Sequence, residues 1–151
     1  MDLEDAVLLA IAKGLNDPKR IAKKLNVRIE DIKFAIDSLE AKGLIVRKTK
    51  GLIFKKEIYE LTKEGFERVE RIREELRKVA DEFKTAYESG DRERLRMLYQ
   101  DYYYFIPLMV TFGLLDLIWL STLLSDFNMV GDLSDTELDD IDADFDFDME
   151  F

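Results

Sequence analysis

The apolar positions fall into runs of different period. Over residues 3–13, Leu3, Val7, Leu8, Ile11 and Ala12 share one helical face, and Gly14 supplies an exit. Asp17-Pro18 reads as a helix start, because Asp17 accepts from orphan N–H groups and Pro18 suits the first helical position. The helix predicted over 18–25 turns Ile21, Ala22 and Leu25 inward, and Asn26-Val27 makes a turn. A further helix over 29–42 turns Ile32, Ala35, Ile36 and Leu39 inward and stops at Gly43. Leu44-Ile45-Val46 then reads as a strand, Thr49-Lys50-Gly51 as a tight turn, and Leu52 to Tyr59 as the returning strand.

Leu61-Thr62-Lys63-Glu64-Gly65 opens a long helix whose apolar positions Val69, Ile72, Leu76, Val79, Phe83 and Ala86 are spaced as a heptad seam. Ser89-Gly90-Asp91 breaks the chain, and a second helical stretch runs through Leu95, Leu98 and Tyr99 into an apolar segment, residues 102–124. A helix apolar nearly all round must be covered. One cover is a second copy of the chain: Leu108, Phe112, Leu115 and Trp119 would join Val69, Ile72, Leu76, Val79 and Phe83 as dimerisation residues of a homodimer. The alternative is a membrane, since residues 105–124 have the length of a span. Asp116 near its middle, with Pro107 and Gly113, makes insertion marginal. The expected organisation is a domain over 1–66, a long amphipathic helix over 62–88, one or more apolar helices over 91–125, and an acidic tail over 126–151.

Charge sharpens this division. All 23 Lys and Arg lie in residues 1–97, beside 20 Asp and Glu, whereas residues 98–151 hold 13 acids and no base. A mildly basic head therefore carries a strongly acidic tail, an asymmetry that marks polyanion binding or a regulatory extension. The chain has no Cys and no His, which removes disulfides, thiolate nucleophiles, Cys/His metal sites and imidazole catalysis. No phosphate-cradling glycine loop or nucleophile elbow occurs. The Asp-x-Asp-x-Asp run from Asp142 has Phe147 where a calcium loop needs Gly, so that motif fails. No enzyme, cofactor or metal is expected. The Lys/Arg/Glu-rich, Gln-poor composition suits a thermophile's protein, and the acidic start Met1 to Asp5 lacks the basic region of a secretory signal, so a cytoplasmic location is expected.

Three phrases in this order carry a resemblance. They are Arg20-Ile21-Ala22-Lys23-Lys24-Leu25-Asn26-Val27, then Ile32 to Ile45, then Tyr59-Glu60-Leu61-Thr62-Lys63-Glu64-Gly65. Together they resemble the winged helix-turn-helix domain of prokaryotic, archaeal-type transcription regulators of the MarR/ArsR/PadR-like kind, over about residues 3–66. The resemblance implies a mainly α fold with a small β-hairpin wing, in the order α-α-α-β-β-α, followed here by the long heptad helix and the apolar C-terminal helix. It also implies duplex DNA as partner, bound by two copies. The second helix would brace the third in the major groove while the wing follows the backbone.

The residues that fit this task are Lys19, Arg20, Lys23 and Lys24 on the second helix for phosphate, and Arg28 and Lys33 for the groove. Arg47, Lys48 and Lys50 serve the wing, whose cluster continues into Lys55 and Lys56. The third helix departs from the family pattern: residues 28–42 carry Glu30, Asp31, Asp37 and Glu40, with Ile29 and Phe34 outward. That surface also suits a protein partner, so a protein-interaction module without DNA binding stands as the alternative, beside a membrane-tethered regulator anchored by residues 105–124. In the tail, Phe145, Phe147, Met149 and Phe151 alternate with acids. Extended, it would put acids on one side and apolar groups on the other, able to compete with DNA for the chain's own basic surface or to bind another protein.

Overall fold

The computed structural model describes residues 1–116, which are mainly helical with one two-stranded antiparallel hairpin. The elements are α1 (Leu3–Ala12), α2 (Pro18–Leu25), α3 (Ile29–Ala41), β1 (Ile45–Lys50), β2 (Lys56–Leu61), α4 (Lys63–Glu88), α5 (Arg92–Asp101) and α6 (Ile106–Thr111), with a single 3-10 turn over Tyr103–Phe105. They belong to two compact units, Met1–Ile72 and the chain from Arg73 onward, and the boundary falls inside α4. The long helix expected to stand between domains is thus shared by both.

In the first unit α1 is the central element. Its residues Asp5, Ala6, Val7, Leu8, Leu9, Ala10 and Ile11 are all buried, so a helix read as one-sided is apolar on every face and is surrounded. It packs against α3, α2 and β2. Glu4 binds it to the end of α3, accepting from Ser38 Oγ (2.9 Å) and Lys42 Nζ (2.8 Å). Asp5 closes a capping box with Asp2 and receives Arg68 of α4 through both carboxylate oxygens, at 2.8 and 2.9 Å. Its 4% exposure makes that pairing obligatory, since an unmatched buried carboxylate is strongly unfavourable.

The hairpin pairs Ile45 with Leu61 through Lys50 with Lys56. Its connection is Gly51–Lys55, two residues later than the turn read from Thr49-Lys50-Gly51, so the first strand is longer than expected and the second begins at Lys56. Leu52, Ile53 and Phe54, read as strand, are the loop. Three apolar residues in succession lack the period-2 alternation of a half-buried strand.

The Leu-Thr-x-x-Gly phrase has a local cause. Thr62 N donates to the Leu44 carbonyl (3.1 Å) and Thr62 Oγ1 donates to the Gly43 carbonyl (2.6 Å), while the Gly65 N–H donates to Thr62 Oγ1 (3.1 Å). Thr62 therefore caps α4 and ties its start to the α3–β1 turn. Gly65 lies against the Leu44 carbonyl: a Cβ there would come within 2.1 Å of that oxygen.

In the second unit α5 returns along α4. Arg94 meets Glu82 at 2.7 Å and the Tyr102 hydroxyl meets Glu75 at 3.5 Å, an antiparallel register. Leu76, Val79 and Phe83 of α4 and Leu95, Leu98 and Tyr99 of α5 are buried in the same unit. This corrects the expected dimer seam. Val69, Ile72, Leu76, Val79, Phe83, Leu108, Phe112 and Leu115 are all at most 5% exposed within one chain, so they are core and not a free face awaiting a second copy. Trp119 lies outside the described residues, as does the acidic tail. Of the one or more apolar helices expected over 91–125, the described residues hold α5 and a short α6. α6 has only six residues, with Pro107 in its first turn, and it ends before Gly113, whose φ is 74°. Among the described residues no helix is long and apolar enough to cross a membrane.

Gly65→Ala is expected to lower stability by about 1–3 kcal/mol, because the added methyl meets a backbone carbonyl that the Thr62 bonds hold in place. Urea unfolding of the variant against the parent measures this, and an unchanged midpoint would contradict the close approach.

Candidate nucleic-acid interface

α2 and α3 follow each other across a short turn and pack together. Asp17 caps α2 by accepting from Lys19 N (3.0 Å), Pro18 opens it, and Asn26 ends it in the left-handed conformation (φ 56°), which redirects the chain into α3 within three residues. Asn16, just before α2, accepts from Tyr59 N of β2 (3.2 Å), so the start of α2 is attached to the hairpin. Between these elements lies a groove of about 570 Å³, lined by Asp17, Lys33, Asp37, Arg47, Lys56 and Tyr59 among others.

Arg47 is the joint of this site. It pairs with Asp37 and with Glu40 (3.2 Å) on α3, and with Glu57 (3.2 Å) on β2. Its guanidinium also stands 5.9 Å from the ring centre of Tyr59, its partner in the strand register. Burial opposes its charge, but the hydrogen bond to Asp37 and the fields of Glu40, Asp37 and Glu57 outweigh that, and its pKa is raised. Tyr59 is pushed up by burial and by Glu57, so the phenol stays neutral. Two of the acids of α3, Asp37 and Glu40, therefore fasten the hairpin to the helix.

The nine basic residues expected at the interface separate into groups. Lys24 is 1% exposed, so it is a core residue whose methylene stem fills space, and its assignment to phosphate is corrected. Arg47 is engaged by three acids and is a structural clasp, not an open phosphate donor. Arg28 is held by both oxygens of Asp31, at 3.0 Å each, a hydrogen bond that raises its pKa. Lys48 pairs with Glu60 at 2.8 Å. Arg20 and Lys23 are exposed on α2. Lys19, Lys33 and Lys50 are exposed and form no ion pair among the described residues. Lys55 and Lys56, in the basic run but not among the nine, have the same status. The signal for them was their place beside the turn, obscured by the misplaced loop.

No family model, curated protein or solved structure matches the chain. No group of three or more acidic side chains suited to a metal occurs among the described residues. What the groove offers is a hydrogen-bonding surface of mixed charge, with Lys33, Arg47 and Lys56 beside Asp17, Asp37 and Glu57, and with the N-terminus of α2 at one side and the hairpin at the other.

Two measurements check these assignments. Arg47→Ala is expected to cost about 1–2 kcal/mol, the scale of charge-assisted hydrogen bonds reduced by partial exposure, with Arg47→Lys recovering only part. Faster amide exchange along Ile45–Lys50 in the Ala variant would report the loosened hairpin. The second check is a pH titration. The hydrogen bond from Lys48 holds Glu60 below the ordinary carboxylate range. The pair thus supports the hairpin above the unfolded-state value and is lost as pH falls through the lowered folded one. Carboxyl NMR should show Glu60 returning to the ordinary range in Lys48→Ala; an unmoved titration would contradict the pairing.

Proposed function

We propose that the protein is a transcription regulator that binds duplex DNA through a winged helix-turn-helix, with α3 as the recognition helix and the β1–β2 hairpin as the wing. The observation that carries this reading is the convergence on one groove of the start of α2, Lys33 of α3 and Lys56 of the hairpin. Lys19, Lys50 and Lys55 add exposed cations on the same two elements, α2 and the hairpin, and none of the five forms an ion pair among the described residues. Such cations release condensed counterions when they meet phosphates, which supplies sequence-independent affinity. Base reading falls to the outward residues of α3, where Phe34 (75% exposed) offers an apolar surface to a thymine methyl and Glu30 an acceptor to cytosine N4.

Binding as a homodimer suits two half-sites on one duplex. The heptad seam is spent inside each chain, so pairing between copies uses a different surface. The acidic tail is assigned to restraint of DNA binding or to recruitment of another basic partner. The protein performs no catalysis in this reading. Phe34 and the acids of α3 also favour the second reading, a protein-interaction module.

DNA affinity should fall steeply with salt. Lys33→Ala should lower the slope of log K against log salt by about 0.9, one phosphate contact, whereas Lys24→Ala should lower stability and leave the slope unchanged. Fluorescence anisotropy with a duplex across a salt series tests both. Absence of binding at low salt, with the tail deleted, would leave the protein-interaction reading in possession.

A further inference from the structure

The three most exposed large apolar side chains among the described residues are consecutive: Leu52 at 98%, Ile53 at 86% and Phe54 at 89%. They form the tip of the hairpin and take no part in the core. Gly51 shapes the loop behind them. Its φ is 106°, and a Cβ there would lie 2.1 Å from the Phe54 carbonyl, so the connection doubles back over a residue that only glycine satisfies.

The tip is framed by like charges. Lys50 and Lys56 stand directly opposite each other in the last pair of the ladder, and Lys55 is adjacent. Like charges facing across strands are unfavourable, and none of the three forms an ion pair among the described residues. An apolar point flanked by cations is complementary to apolar surface reached between anionic rims. A duplex offers this at its minor groove when a base step opens: base edges line the groove floor, and the apolar base faces become reachable between two rows of phosphates.

We propose that Leu52-Ile53-Phe54 is an apolar wedge that enters the minor groove and partly unstacks a base step, while Lys50, Lys55 and Lys56 hold the flanking phosphates. This deepens the DNA reading given above and rests on it. A groove about 6 Å across admits the apolar side chains of the tip and not the two-stranded ribbon behind them, and it widens as the base step opens. Apolar side chains inserted there bend the duplex toward the major groove, which brings more DNA against the protein. In a bilayer three side chains on one loop give only a shallow, reversible hold, so the duplex is the partner the tip favours. Arg47, fastened to Asp37 and Glu40 of α3, transmits the push: a wedge bends DNA only if its base is anchored.

The test uses the full chain and a duplex of about 30 base pairs with a donor and an acceptor dye at its ends. The parent protein should shorten the end-to-end distance. The triple variant Leu52→Ser, Ile53→Ser, Phe54→Ser should bind about tenfold or more weakly, the scale of losing one base stack, with the salt slope kept and the bend gone. The three residues are solvent-exposed, so the variant folds, and circular dichroism confirms it. Phe54→Trp should show fluorescence quenching by the bases on DNA addition. Binding by the parent without bending, or equal bending by the triple variant, would overturn the wedge while leaving DNA binding intact. No binding by either protein at low salt would overturn the DNA reading itself. Tip-dependent sedimentation with vesicles containing anionic phosphatidylserine, without DNA bending, would reassign the tip to a lipid surface.

Discussion

Seven consecutive residues of α1, Asp5 to Ile11, are buried, and the first unit is arranged to cover them. A short helix apolar on every face cannot be satisfied by one partner, so α2, α3 and β2 all pack against it. The single carboxylate in that run holds α4 against α1. Asp5 caps its own helix and receives Arg68, which holds the first turns of α4 beside α1. Thr62 and Gly65 then leave no slack between hairpin and α4. The hairpin is fixed at its base because the helix beneath it must be enclosed.

Charge on this scaffold serves two purposes that sequence order alone does not separate. Some ion pairs are internal fasteners: Glu4 with Lys42, Asp5 with Arg68, and Arg47 with Asp37, Glu40 and Glu57. They take bases out of the pool available to a polyanion. Among the bases that form no ion pair among the described residues are Lys19, Lys33, Lys50, Lys55 and Lys56, on α2, α3 and the hairpin, and two of these residues line one groove. The acidity of α3 is thus compatible with DNA binding. Asp31 is paired with Arg28, and Asp37 and Glu40 share Arg47, so three of the acids of α3 are drawn into pairs within the chain.

Much of the fold was legible in the sequence because its signals are local. Asp17-Pro18, Asn26, Gly43 and Thr62 each act within one turn, and the helices they bound appear within a residue or two of where those signals put them. The heptad spacing correctly marked a buried stripe on α4. It could not say what covers the stripe, because an intrachain partner and a second copy impose the same 3–4 spacing. The hairpin loop was misplaced because Thr49-Lys50-Gly51 carries turn chemistry, yet the strand continues through Lys50, where pairing with Lys56 decides its length. The fate of the bases was the least legible part. Whether Lys24 is buried, or Arg47 is consumed by acids ten residues away on either side, depends on tertiary contacts that no local pattern encodes.

In the proposed function the lysines of α2, α3 and the hairpin that form no ion pair act as one DNA-binding surface. Lysine acylation of the full chain, read by mass spectrometry with and without duplex DNA at low salt, tests it most directly. Lys19, Lys33, Lys50, Lys55 and Lys56 should be protected together by DNA, Lys24 should be unreactive in both states, and Lys63, Lys78 and Lys84 on α4 should stay reactive throughout. Equal reactivity of the five with and without DNA, or protection confined to α4, would contradict it.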